Sequence, residues 1–209
     1  MRISDNTRML ALPRSFYTRD DVVQIARELL GKVLCTSFDE GLTSGLITET
    51  EAYAGVTDRA SHAYGGRRTG RTEIMYSVGG TAYVYLCYGI HSLFNVVTSV
   101  KDNPHAVLIR AIRPLEGIDI MKGRANKQLV GSREGTGPGN VSRLLGIHYS
   151  HTGMDMVMAK DAEMMSPAIW IEDRGIRIAE QDILSGPRVG VDYAGEDALL
   201  PYRFSVKIR

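Results

Sequence analysis

In the stretch SFYTRDDVVQIARELLGK, Val22, Ile25, Ala26, Leu29 and Leu30 recur three or four positions apart and draw one apolar stripe along a helix. Thr18 is its expected N-cap, with Asp21 at the third helical position of a capping-box-like arrangement and Gly31 as the stop. The pattern then changes to short runs rich in β-branched and aromatic residues. KVLCTSF and GLITETEAY read as two strands joined by a polar turn. TAYVYLCYGIHSLFNVVTSV is long enough to fold back as a hairpin around Tyr88-Gly89, and HAVLIRAIRP is a further strand ended by Pro114. EGTGPGNVSRLLGI is a glycine-rich loop entering a short helix, while PAIWIED, GPRVGV and YRFSVKI read as short strands. Strands outnumber helices and are joined by turns rather than crossover helices. An α+β domain around an antiparallel sheet is therefore expected.

No internal repeat, low-complexity tract or linker interrupts the 209 residues, so a single domain over 1–209 is expected, with 1–13 as a flexible lead-in. Hydrophobic residues make up 44% and charged residues 23%, as in soluble globular proteins. Cys35 and Cys87 each lie in an apolar run, with no second Cys or His at ligand spacing. They read as two buried, reduced thiols, and a metal site is not expected. No signal peptide precedes the first polar residues and no apolar run approaches spanning length, which points to the cytoplasm and to no membrane contact. The net charge of +1 makes no general polyanion magnet. Residues 101–143 nevertheless hold eight Lys or Arg against four Asp or Glu, and 155–182 reverse the balance with three against seven. That asymmetry is compatible with a one-sided positive face for a phosphate-bearing partner, although solvated surface is the commoner origin of such runs.

Several residues carry candidate chemistry. On a regular strand Glu49, Glu51 and Tyr53 project from one face. A buried carboxylate there would gain proton affinity, as a general base requires; on an edge strand both glutamates would simply be solvated. His62 follows in ASHAYGG without metal-ligand spacing around it. GGRRTGR sets Arg67, Arg68 and Arg71 among glycines and threonine, suited to phosphate oxygens and equally compatible with a solvated loop. Tyr83 and Tyr85 share a strand face, and Tyr88 stands at the hairpin tip, where a large ring serves as a wedge or stacking platform. Asn95 in LFNVV and Arg110 in VLIRAI place polar groups where apolar side chains are expected, so each needs a partner. Together these suit a planar base attached to a phosphate backbone.

As a set, ETEAYAGVTDRASHAYGGRRTGR, GTAYVYLCYGIHSLFNVVTS and AVLIRAIRPLEG resemble the alkyladenine (3-methyladenine) DNA glycosylase family. The resemblance continues in order through GTGPGNVSRLLGI to RVGVDYAGEDALLPYRFSV, from about Pro13 to the C-terminus. It implies a compact, bacterial-type member with a curved antiparallel sheet like that of the formyltransferase C-terminal domain. The implied enzyme is monofunctional, without lyase activity, metal or cofactor, and associates with the nucleoid through DNA; a monomer is expected because duplex binding needs no symmetry. Its partner is double-stranded DNA containing damaged purines of the 3-methyladenine, 7-methylguanine, hypoxanthine and ethenoadenine class. Such an enzyme flips the purine out and hydrolyses its N-glycosidic bond, leaving an abasic site. The resemblance makes Glu51 the general base for the attacking water and assigns Tyr53, His62 and Tyr85 to the extruded base. Asn95 crowds the purine 2-position, Arg110 stands near the water, and Tyr88 fills the vacated stack. Arg67, Arg71 and Met75 fall where the family touches the DNA backbone. Ile90 and His91 stand in a tip that varies within the family and flank the lesion's neighbours. Glu49 supports the site or is exposed.

Three rivals have different grounds. A helix-hairpin-helix protein, raised by GTGPGNVSRLLGI with Asp155 or Asp161 downstream, needs an apolar helix where KQLVGSREGT is polar and glycine-interrupted. A nucleoside hydrolase needs neither wedge nor basic loop. A non-catalytic damaged-DNA-binding protein could use Tyr88 and the arginines without releasing base.

Overall fold

The segments Val33–Phe38 (β1) and Gly41–Tyr53 (β2) form the hairpin from which the sheet grows. The computed structural model describes residues 11–125, 135–157 and 166–207. Further strands are Ala82–Cys87 (β3), His91–Thr98 (β4), His105–Glu116 (β5), Ala168–Glu172 (β6), Ile183–Gly186 (β7) and Arg203–Val206 (β8). They make one curled antiparallel sheet in the order β3-β4-β5-β2-β1-β6, with β8 pairing both β2 and β7. The helices are short: Arg14–Tyr17 (α1), Val22–Glu28 (α2), Ile118–Ala125 (α3) and Pro138–Leu145 (α4). No helix among the described residues is long and apolar enough to cross a membrane.

β2 is the spine. Along one side it pairs β5 from Ser44 to Tyr53. On the other side β1 takes its first half, and β8 takes Glu49, Thr50 and Glu51. The glutamates therefore lie inside the sheet, not on an edge. The β2–β5 register is irregular at their position: Ile47 faces Ile112, Glu49 faces Ala111 and Thr50 faces Ile109, so Thr48 and Arg110 are each one residue extra. Paired irregularities of this kind re-aim side chains without ending the ladder. One of the residues re-aimed is Arg110.

The helices cover the sheet with the stripe read from sequence. Val22, Ile25, Ala26, Leu29 and Leu30 are all buried, and α4 adds Val141, Leu144 and Leu145 to the same core around Phe94, Val107 and Ile109. Thr50 ties β2 to α2 by donating its hydroxyl to the Ala26 carbonyl at 2.8 Å.

Several boundaries differ from expectation. A separate short helix, α1, precedes the expected one, which starts three residues later than read. Thr18 closes α1, and Asp21, not Thr18, caps α2 by accepting from the Gln24 amide at 2.9 Å. Pro114 does not end β5, which runs on to Glu116; it sits opposite Gly45 beside a register shift, where a missing N–H leaves no ladder bond broken. GPRVGV is not a strand: its Gly186 ends β7, and residues 187–191 form an irregular loop. Of the expected lead-in, Ala11 and Leu12 are packed against β6, with Leu12 buried and its amide donating to the Ile171 carbonyl, while Pro13 is exposed. Cys35 is buried as read, but Cys87 is only half-buried. Nor is the basic excess of 101–143 one open face, because Arg110 and Arg124 turn into carboxylates of Glu49 and Glu40. Most of KQLVGSREGT, and Asp161, lie outside the described residues.

The turn from β5 into α3 requires glycine at 117. Its φ is +72°, and a Cβ there would stand 2.3 Å from the Leu42 carbonyl oxygen. We expect Gly117→Ala to destabilise the fold by about 1–3 kcal/mol, since both backbone strain and a clash with main chain oppose it. Urea unfolding of the variant against wild type measures this.

Candidate active site

Glu51 is fully buried, and its carboxylate is held by three polar groups. Oε2 accepts from the Tyr53 hydroxyl at 2.8 Å and Oε1 from the Val189 amide at 2.8 Å. The Arg110 Nε lies 3.4 Å from Glu51 Oε1 and 3.1 Å from Glu49 Oε1, so one guanidinium serves two carboxylates. Arg203 reaches Glu49 from β8 at 3.2 Å. Glu49, Glu51 and Tyr53 thus share one side of β2, and Glu49 supports the cluster rather than facing water. Burial raises the proton affinity of Glu51, and Glu49 adds to it; Arg110, the Val189 amide and the Tyr53 hydroxyl pull the other way. The net direction is upward, towards that of a general base.

Tyr53, Arg110 and Val189, which hold this carboxylate, also line a cavity of about 360 Å³ together with Tyr83, Tyr85, His62 and Asn95; Glu51 itself lies behind that wall. His62 meets Tyr85 edge to face with ring centroids 4.8 Å apart. Its Nε2 receives a hydrogen bond from Arg71 Nη2 at 3.0 Å, and its Nδ1 lies 2.8 Å from the Tyr83 hydroxyl. A guanidinium only donates, so Nε2 is the acceptor of a neutral ring and Nδ1 carries the proton that Tyr83 accepts. Burial, with the charges of Arg71 and Arg67 behind it, holds the His62 pKa down to about 4. Asn95 donates both amide hydrogens, to the Tyr83 carbonyl at 3.1 Å and to the Leu93 carbonyl at 3.3 Å. This satisfies its buried nitrogen and fixes which way the amide points. Met75 also lines the cavity; its side chain is buried and does not stand with Arg67 on the outer surface.

The rim is built from the two loops read from sequence. Tyr88 is 91% exposed and has φ +52°. A left-handed backbone costs a non-glycine residue about 1–2 kcal/mol, and this ring recovers none of it by packing on its own fold. Arg67 is exposed, and Arg71 spans from the loop to His62 with its guanidinium 4.7 Å from the Tyr85 ring centroid. Arg68, by contrast, is tied down by Glu73 and Asp102 at 2.8–3.0 Å.

Three residues escaped the sequence reading. Val189 supplies the amide to Glu51. Arg188, next to it, is buried against Asp58, whose Oδ1 accepts from Nη2 at 2.8 Å, and its guanidinium lies 4.8 Å from the Tyr53 ring centroid. That pair clamps the 187–191 loop and the loop after β2 to each other behind Tyr53. Its signal was a charged residue inside apolar RVGV, the same anomaly that marked Arg110.

Comparison with known proteins places nearly the whole chain in one family. Residues 15–209 match the model of the methylpurine-DNA glycosylase family. A protein of Chlamydia abortus, named a 3-methyladenine DNA glycosylase, is 47% identical over 199 residues, covering 95% of this chain and 99% of its own. Similarly named proteins of Bacillus licheniformis and Clostridium perfringens are 43% identical over 198 residues and 39% over 205. They cover 94% and 95% of this chain, and 93% and 96% of their own.

Two outcomes follow from the site's charges. His62 titrates below its ordinary 6.5, so the unfolded chain binds more protons between about 6.5 and about 4. Stability should fall as the pH drops through that window, and His62→Gln should flatten this part of the pH dependence in chemical unfolding. Asp58→Asn leaves the buried Arg188 charge uncompensated and should cost about 3–5 kcal/mol, read by the same unfolding measurement.

Proposed function

The chain belongs to the methylpurine-DNA glycosylase family, DNA glycosylases of base-excision repair, and we propose that it flips damaged purines out of duplex DNA and hydrolyses their N-glycosidic bond. The observation that carries this reading is Glu51: a carboxylate of raised proton affinity, out of contact with bulk water, beside the aromatic cavity.

In this reading a water on the cavity side of Glu51, near Arg110 and the Val189 amide, attacks the anomeric carbon while Glu51 takes its proton. Each carboxylate oxygen has a second lone pair for that contact. The sugar passes through an oxocarbenium-like state, which the nearby carboxylates stabilise electrostatically. Tyr53, Tyr85 and His62 receive the purine. Stacking favours a base already carrying positive charge, as in 3-methyladenine and 7-methylguanine lesions. Hypoxanthine and ethenoadenine enter as neutral substrates. Asn95 crowds the purine 2-position and so disfavours guanine.

Tyr88 enters the stack where the base has left, and its exposure at a strained tip supports that role. Arg67 and Arg71 contact the backbone phosphates. Extrusion costs least at a damaged or mispaired base, so selection begins before the cavity is reached. The mechanism uses water rather than an amine, so no lyase step follows and the product is an abasic site. We read the protein as a monomer acting on the nucleoid in the cytoplasm, with the sheet of a formyltransferase C-terminal domain.

The test is single-turnover release of hypoxanthine and 3-methyladenine from duplex DNA by wild type and Glu51→Gln, with binding of an abasic-site mimic measured in parallel. Release should fall between about 100-fold and 10,000-fold in the variant while binding persists. Equal release by both proteins would make Glu51 structural. Binding without release by either would identify a non-catalytic damaged-DNA-binding protein.

A further inference from the structure

Of the arginines in the basic loop, Arg71 alone lines the cavity, and it does so with neutral partners only. Its guanidinium lies over the Tyr85 ring at 4.7 Å and donates to the uncharged His62 at 3.0 Å. No carboxylate pairs with it among the described residues, whereas Arg68 three positions earlier has two. A planar cation on an aromatic face is also what an alkylated purine would be in the same place. The two cannot occupy that face together, and like charge would keep them apart.

We propose that Arg71 is an exchangeable occupant of the cavity, seated on the Tyr85 wall in the free protein and drawn out by a DNA phosphate, so that backbone binding clears the space for the base. This rests on the glycosylase reading above. The balance of contacts favours exchange. Phosphate offers the Arg71 guanidinium two parallel bonds to a full negative charge, whereas its hydrogen-bond partners in the cavity are uncharged. The contacts that Arg71 gives up are one bond to a neutral imidazole, one to the Tyr83 hydroxyl and one cation–π contact, none of them with a negative charge. The loop need not refold for it. Its main chain is pinned where the Arg67 carbonyl accepts from the Thr72 and Tyr76 hydroxyls, while open space surrounds Gly70. A side-chain swing is enough. Arg71 thus makes the cavity poor at taking free bases and competent once DNA is engaged.

The experiment measures binding of free 3-methyladenine and hypoxanthine to DNA-free wild type and Arg71→Gln by NMR titration. Alongside it, a duplex carrying an abasic-site mimic is added to each protein, with the His62 ring nitrogens followed as reporters. Arg71→Gln should take free base on the order of tenfold more tightly than wild type and bind the duplex more weakly. In wild type, the duplex alone should abolish the hydrogen bond at His62 Nε2. Equal or weaker free-base binding by Arg71→Gln, or no detectable binding by either protein, would overturn the proposal, as would an Nε2 bond that survives duplex addition. Those failures leave the glycosylase reading standing as long as wild type binds the duplex. Failure to bind the duplex would overturn both.

Discussion

A carboxylate held away from water in the middle of a sheet is the constraint on which the rest of this molecule depends. Removing an ion from water costs several kcal/mol, which must be met by nearby hydrogen bonds and charge. Glu51 meets it with one hydroxyl, one main-chain amide and a share of one guanidinium. Each comes from a different part of the chain: Tyr53 from the same strand, Val189 from the loop after β7, Arg110 from the irregular point of β5. The β2–β5 irregularity, the three-strand environment of Glu49–Glu51 and the Arg188–Asp58 clamp all serve to keep those donors in place. The compensation is partial by the direction of the shift, and the proton affinity left over is what a base needs.

The cavity wall follows a complementary rule. Several of its polar groups are engaged with each other, and aromatic rings stand among them. Asn95 gives its amide hydrogens to main-chain carbonyls, His62 is neutral with both nitrogens engaged, and burial pushes the Tyr53 and Tyr85 hydroxyls up, away from ionisation. A wall with aromatic rings and paired polar groups is suited to planar rings by stacking. The rim is opposite in character: an exposed tyrosine on a strained turn and arginines on a glycine-bearing loop, both suited to a partner larger than the cavity.

Much of this was legible in sequence where the signal was local. The apolar stripe of α2, the hairpin with Tyr88 at its tip and the glutamates on one side of β2 depend on periods of a few residues, and the backbone obeys them. Polar residues in apolar runs, Asn95 and Arg110, identified themselves because burial forces such groups to find partners. Where reading failed, the deciding contact was distant. Thr18 looked like a cap because capping residues crowd that segment, and only the break between α1 and α2 singles out Asp21. GPRVGV looked like a strand because its composition suits one, yet Arg188 pairs with Asp58, 130 residues away, and holds it as a loop.

By itself, then, the sequence determined the α+β class, the ladder of strands and the roster of unusual residues, because periodicity and local composition act over a few positions. The motif order from about Pro13 to the C-terminus determined the family it resembles. Tertiary structure alone decided that Glu51 lies inside the sheet and not on a wet edge, that one arginine bridges two glutamates, and that Val189 and Arg188 belong to the site. It also decided that Met75 turns inward while Arg71 lies across the aromatic wall. Those outcomes depend on desolvation and on which distant groups arrive to offset it, and neither quantity is written in neighbouring residues.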